Sequence, residues 1–177
     1  KVRTYTTNAE GSLMLERKNF STSASCGNNV ITLCPDTTHQ TMDGFGYAIT
    51  YSTCYNLLKM KARDRHRFLV NTFSPTKGLG VSYIRTSIGC SDFSSTEYSL
   101  CDSPGLENFA LHDDETRYVI PIIKEILDIN PNVKVIAAPW TCPKWMKVKN
   151  LRTLEKHDSW TSGHLNPNMR STYAQYF

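Results

Sequence analysis

The first forty residues are polar and rich in Thr, Ser and Asn, with short β-type runs at Val2 to Thr6, Leu13 to Leu15 and Val30 to Leu33. The stretch Cys26-Gly27-Asn28-Asn29-Val30 reads as a turn, because Gly and Asn tolerate positive φ. So thin a β-structure buries too little to fold by itself and is expected to pack on something later in the chain. After Thr41 the period of the apolar positions changes. Asp43 to Thr50 is a short strand with glycines, Tyr51 to Phe73 is compatible with one helix, and Ser74 to Gly80 closes it with Pro and Gly. Val81 to Ile88 is β-branched and aromatic, hence a second strand. Val119, Ile122, Ile123, Ile126 and Leu127 then recur at helical spacing, with acids at the helix start, where the dipole favours them, and Pro121 in the first turns. Pro131 to Pro139 supplies a third strand, and Asn166-Pro167 opens another helix, with Asn166 as cap and Pro167 at its first position.

Strand, helix, strand, helix, strand, helix predicts parallel strands joined by right-handed crossovers. In such units the working loops follow the carboxyl ends of the strands. The loop after the second strand far exceeds the roughly two to six residues usual for a βα connection, which marks it as functional. Three loops are expected to converge. The first carries Gly44, Phe45, Gly46 and Tyr47; the second carries Ser91, Asp92 and Phe93, with Arg85 inside the preceding strand; the third carries Trp140 and Trp145.

Composition removes several classes of function. The 177 residues are 40% hydrophobic with a net charge of +4. The one basic run, Lys59 to Arg67, includes Asp64 and reads as a solvated helix face, so nucleic acid is not the expected partner. No apolar stretch approaches the ~20 residues of a membrane span. The six cysteines show neither a CxxC pair nor zinc spacing, so no metal is expected. Cys26 with Cys34 and Cys90 with Cys101 are local enough to form disulfides in an exported protein; free buried thiols are the equal alternative. Glycine-rich phosphate loops, GxSxG and HExxH are all missing from the sequence, and no cofactor is expected.

An Asp beside aromatic rings at strand ends is equipment for a sugar. Aromatic faces cover the C–H side of a pyranose, and a carboxylate accepts hydrogen bonds from neighbouring hydroxyls. Each residue also has a plainer reading. Trp140 could be core, Asp92 a turn cap with the serines that follow, and Arg85 a structural ion-pair partner instead of a ligand. Trp145 and Lys147 read as loop packing and solvent-facing charge.

The stretches DGFGYAITYSTCYNLL, GLGVSYIRTSIGCSDFSSTEYSLCD and VKVIAAPWTCPKWMK resemble, in order and spacing, the first three strand motifs of glycoside hydrolase family 30, the glucosylceramidase and endo-β-1,6-glucanase family. SGHLNPNMRSTYAQYF is similar to the family's approach to its third barrel helix, so the resemblance runs from Gln40 to Phe177. The CSDFS and PWTCPKWMK variants are more similar to the bacterial β-1,6-glucanases than to the lysosomal glucosylceramidases. The resemblance implies an α/β fold, a (β/α)8 TIM barrel of which the first three βα units are present. Residues 1–40 would contribute strands to a side β-sandwich, and residues 41–177 would form the barrel units. It implies a retaining β-glycoside hydrolase acting on a β-glucan or glucoside, exported to the cell surface or medium, or lysosomal in a eukaryote.

Retaining enzymes use two carboxyl groups about 5 Å apart, one as acid/base and one as nucleophile. The family's acid/base Glu sits in an Asn-Glu-Pro motif after the fourth strand, and no such motif occurs in this sequence. No catalytic residue is therefore assigned here, and the chain by itself is expected to be inactive, with unpaired sheet edges. The residues that match are substrate-binding: Asp92 on the sugar hydroxyls, Trp140 against the ring, and Phe93 beside Asp92. Tyr47 departs from the family, which usually has a small residue there. A non-catalytic carbohydrate-binding fragment and an unrelated α/β small-ligand protein are the alternatives; the latter would hold Asp92 and Trp140 far apart.

Overall fold

Arg85 and Ile84 are neighbours in sequence but face opposite sides of a sheet, and that division organises residues 42–177. The computed structural model describes residues 2–21 and 32–177. Strands β3 (Gly46–Ala48), β4 (Tyr83–Ile88) and β5 (Lys134–Pro139) form a parallel sheet in the order β3-β4-β5. The register is continuous, with Gly46 opposite Tyr83 and Ile84 opposite Val135. Each crossover leads to the immediate neighbour, the sequential order of a β/α barrel, without the reversal of a doubly wound sheet.

All the crossover helices lie on one face. Helices α1 (Tyr51–Lys59), α2 (Ala62–Phe73) and α3 (Ile120–Ile129) bury Cys54, Leu57, Leu69, Phe73, Ile122 and Ile126 against Ile49, Ile84 and Val133. The opposite face is open: Ile136 of β5, paired with Arg85, is exposed, and Tyr83, Arg85 and Ile136 line an apolar cavity of about 330 Å³.

Two expectations for the helices are corrected. The predicted single helix over Tyr51–Phe73 is two helices, broken where Met60 and Lys61 take extended ψ values of 154° and 136°. In an unbroken helix Lys61 and Arg65 would continue the buried stripe of Cys54 and Leu57 at i+4 and i+7 spacing. The break leaves Lys61 exposed and turns Arg65 to pair with Glu125 of α3 at 2.8 Å. Ahead of α3, Glu115–Val119 is a π-helical turn in which the Ile120 N–H donates to the Glu115 carbonyl, five residues back. Pro121 is the cause: without an N–H it cannot serve the Arg117 carbonyl four residues earlier, and the wider turn absorbs the lost bond.

Beyond β5 come a 3-10 turn (Lys144–Met146) and an antiparallel pair, β6 (Lys147–Val148) with β7 (His164–Leu165), which the sequence pattern did not reveal. Asn166 caps as expected, its side chain accepting from the Asn168 N–H at 3.0 Å, but it opens a 3-10 turn (Pro167–Met169) ahead of α4 (Arg170–Gln175).

Residues 1–41 form a second unit. It holds the antiparallel pair β1 (Val2–Thr6) and β2 (Glu16–Phe20), with Val2 opposite Phe20. The first strand is where the sequence puts it. The second is not at Leu13–Leu15, which instead closes the turn: Asn8 Oδ1 accepts from the Leu13 N–H and Leu15 has φ 53°. The Val30–Leu33 run and Cys26 fall on or across residues outside the described ones.

Gly46 is required by contact. A Cβ there would overlap the Tyr83 carbonyl oxygen in the neighbouring strand. Gly46→Ala is expected to lower the stability of the complete protein by about 1–3 kcal/mol, read as a lower urea midpoint at unchanged slope.

Candidate functional site

The carboxyl end of β4 leads through Gly89, which has φ 77°, into a tight turn at Ser91–Ser94. The turn closes on its serines: the Ser91 N–H donates to Ser94 Oγ at 3.0 Å, and the Phe93 N–H donates to Ser91 Oγ at 3.2 Å. Asp92 takes no part in these bonds, so its carboxylate is not the cap that was one reading of it. The turn is fastened to the start of α1, where the Ser52 backbone N–H donates to the Phe93 carbonyl at 3.2 Å and Ser52 Oγ donates to the same oxygen.

The end of β5 places Trp140 next to this turn. Trp140 is 52% exposed, which removes the core-packing reading. Asp92 and Trp140 line one cavity of about 260 Å³, together with Cys90, Ser91, Glu97, Trp160 and Thr161. The cavity is smaller than the ~300–1,000 Å³ of pockets for drug-sized ligands.

The other expected members lie elsewhere. Phe93 is 55% exposed and does not line this cavity; its carbonyl, through Ser52, is what anchors the turn. The expected first loop is not at a strand end: Gly44 and Phe45 precede β3, Gly46 and Tyr47 lie within it, and Tyr47 tilts against Phe73, with ring centroids 6.2 Å apart. Two loops converge here instead of three. Trp145 is packing, as expected, donating its indole N–H to the Cys101 carbonyl at 2.8 Å. Lys147 is not solvent-facing: it is 3% exposed, and burial pulls its ammonium below the ordinary lysine range, against an upward pull from Cys142 and Cys90. Trp160, Thr161 and Glu97 were missed, because nothing in their spacing marks them; only the fold brings residues 160 and 161 back to the strand ends.

The long second loop is ordered by its own small core of Cys90, Tyr98, Leu100, Cys101 and Tyr176, against which Trp145 and Trp160 pack. Cys90 and Cys101 are free thiols and not a disulfide, as are Cys54 and Cys142; the Cys26–Cys34 pairing falls on a residue outside the described ones. Cys101 Sγ instead donates to the Gly105 carbonyl at 3.1 Å. The Tyr98 hydroxyl donates to Glu115 Oε1 at 2.8 Å, and the His112 N–H donates to Glu115 Oε2 at 3.1 Å. Among the described residues no cluster of His, Cys, Asp and Glu could hold a metal ion, and no helix is long and apolar enough to cross a membrane.

Sequential parallel strands with helices on one face and a cavity at their carboxyl ends define the opening βα units of a β/α-barrel protein. Residues 42–177 match the family model of the glycosyl hydrolase family 30 TIM-barrel domain. The chain belongs to glycosyl hydrolase family 30. It is 31% identical over 152 residues to the lysosomal acid glucosylceramidase of Mus musculus, covering 84% of this chain and 29% of the mouse protein. It is also 31% identical over 151 residues to the endo-1,6-β-D-glucanase of Neurospora crassa, covering 81% of this chain and 30% of that one. Among solved structures, an endo-β1,6-glucanase superposes with a TM-score of 0.85 at 58% identity, over 99% of this chain and 37% of its own. The chain thus spans about a third of the length of these relatives.

Glu115 gives the loop a pH signature. Its folded-state pKa is raised above the ordinary 4.5, chiefly by burial, with the Tyr98 hydrogen bond pulling it partway back. The folded state therefore holds the proton more tightly than the unfolded chain. The Glu115 contribution falls as pH rises from about the ordinary glutamate value through the folded one. Tyr98→Phe removes a donor from a buried carboxylate and should cost about 1–3 kcal/mol at neutral pH. Urea unfolding of the complete protein at a series of pH values should show a smaller cost in acid, where Glu115 is protonated in both states.

Proposed function

We propose that this chain is the N-terminal portion of a retaining β-glycoside hydrolase that cleaves β-glucosidic bonds, with β-1,6-glucan as its preferred substrate. The observation that carries the reading is the shared cavity of Asp92 and the half-exposed Trp140 at the carboxyl ends of adjacent parallel strands. An unrelated small-ligand fold would have no reason to bring them together. The 58% identity to an endo-β1,6-glucanase, against 31% to the lysosomal glucosylceramidase, supports the choice of linkage.

In this reading Asp92 accepts hydrogen bonds from neighbouring hydroxyls of the glucosyl unit, and Trp140 covers its C–H face. Phe93 serves the site through its backbone, by fixing the turn that aims Asp92. These residues bind and orient; they do not break the bond. Hydrolysis with retention needs one carboxylic acid to protonate the leaving oxygen and one carboxylate to attack the anomeric carbon. Both are assigned to residues outside this sequence, since it contains no Asn-Glu-Pro motif. Residues 1–40 are assigned to a side β-sandwich and residues 41–177 to the barrel. Export, or lysosomal residence in a eukaryote, is proposed from the relatives alone; Cys54, Cys90, Cys101 and Cys142 are unpaired and add nothing to it.

The complete protein is expected to release glucose units from β-1,6-linked glucan faster than from β-1,4-linked glucan; equal or reversed rates reject the linkage. Trp140→Ala in that protein should lower kcat/KM at least tenfold, a stacking surface being worth on the order of 1–3 kcal/mol. An unchanged value would remove Trp140 from the site. The 177-residue chain alone should bind glucan weakly at best and release no sugar.

A further inference from the structure

Lys147 Nζ donates to three backbone carbonyls of one short loop: Ser159 at 3.0 Å, Trp160 at 2.8 Å and Ser162 at 3.2 Å. An ammonium has three N–H groups, so its donors are fully used. The cation is 3% exposed, and no carboxylate pairs with it among the described residues. Such a group is costly to bury unless its hydrogen bonds are complete, and here all of them converge on residues 159–162.

The loop is tied at both ends. Its flanks are the β6–β7 pair, where Lys147 faces Leu165 and Val148 faces His164. His157 Nε2 lies 3.0 Å from the Thr161 carbonyl and 3.1 Å from Ser162 Oγ. Ser162 and Gly163 both sit in the left-handed region, at φ 55° and 75°, a bend that a non-glycine residue resists and that the ammonium's contacts offset. With the carbonyls of residues 159, 160 and 162 committed to Lys147, Trp160 and Thr161 join Asp92 and Trp140 in lining the cavity. Lys144 Nζ lies 5.5 Å from the Trp160 ring centroid, which holds the indole further.

We propose that Trp160 is a second aromatic wall of the Asp92–Trp140 cavity, contacting the glucosyl chain of a β-glucan, and that Lys147 is the positioning residue that fixes it there. This rests on the sugar-site reading above. Two tryptophans and the carboxylates of Asp92 and Glu97 around one cavity give a pyranose two apolar contacts and two polar ones. A loop held from beneath by a buried cation keeps the second wall in place before substrate arrives, so less ordering is needed on binding.

The test is steady-state kinetics of the complete protein on β-1,6-linked gluco-oligosaccharides, with thermal unfolding as a parallel readout. Trp160→Ala should lower kcat/KM about tenfold, through KM more than kcat, while Trp160→Phe should stay within about threefold of wild type. Lys147→Met, which keeps the length and removes all three donors, should raise KM in the same direction. The double variant Lys147→Met, Trp160→Ala should be no worse in KM than Trp160→Ala, because the lysine acts through the tryptophan. A lysine that merely stabilises the fold would lower the unfolding temperature and leave KM alone, or multiply its effect with that of Trp160→Ala; either result overturns the positioning role. If Lys147→Met does not fold, the two Trp160 variants still decide the wall. Unchanged KM in Trp160→Ala, alongside a raised KM in Trp140→Ala, overturns this inference and leaves the sugar site standing. Unchanged KM in both, or no activity on any β-glucan, overturns both readings.

Discussion

Strand β4 is hydrogen-bonded on both edges, and the rest of the barrel units depend on the alternation of its side chains. Ile84 and Thr86 are buried, Ile84 in the core beneath the helices, whereas Tyr83 and Arg85 line the open face. A register slip of one residue would exchange those faces and place an arginine in the helix core. The close approach of Gly46 to Tyr83 and the in-register pairing with Lys134–Pro139 fix that register from both sides. Because parallel strands in register end together, β4 and β5 deliver Asp92 and Trp140 to the same rim.

At that rim the polar groups are handled by two different devices. The Asp92 turn satisfies its backbone locally with serine hydroxyls, which leaves the carboxylate free. The loop opposite satisfies its carbonyls through a buried cation, and its side chains are the part left facing the cavity. Both devices leave a side chain facing the cavity by giving the surrounding backbone another partner. The two also share a support: Trp145 and Trp160 pack on the small core that includes Cys90 and Tyr98, so the wall and the turn rest on one cluster.

The regular architecture was legible in the sequence because burial is periodic there. β-branched runs marked β4 and β5, the 3.6-residue spacing of Ile122, Ile126 and their neighbours marked α3, and Asn166 was read correctly as a cap, though it opens a 3-10 turn instead of the expected helix. The break at Met60-Lys61 was illegible because the apolar stripe runs in phase straight through it; only the burial cost of Lys61 and Arg65 argues against one helix, and tertiary packing decides that. Strand β2 carried no pattern, since all five of its residues are exposed. Leu13 and Leu15, which did look like strand, are the turn. Asp92 and Trp140 could be read because Trp140 follows directly on the end of β5 and Asp92 lies in the first turn after the end of β4. Phe93 was legible as a neighbour of Asp92, but it does not line the cavity with it, because adjacent positions in a turn need not face the same way.

Lys147 shows where reading from residue type fails most. Lysine is normally a surface residue, and a lysine two places after a tryptophan in a loop has no feature that marks it as buried. What buries it is the return of the chain at β7, whose two-residue pairing lies below any pattern detectable in the sequence. The energetic logic runs from that return. Once β6 and β7 pair, the intervening loop must turn back through left-handed residues and leaves three carbonyls pointing into the protein. Unpaired, those carbonyls would each cost about 1–3 kcal/mol. A carboxylate could not serve them, since it only accepts; a neutral side-chain donor of comparable reach offers fewer N–H groups. An ammonium with three donors on a flexible stem meets the need, and the same loop then carries Trp160 to the cavity of Asp92 and Trp140.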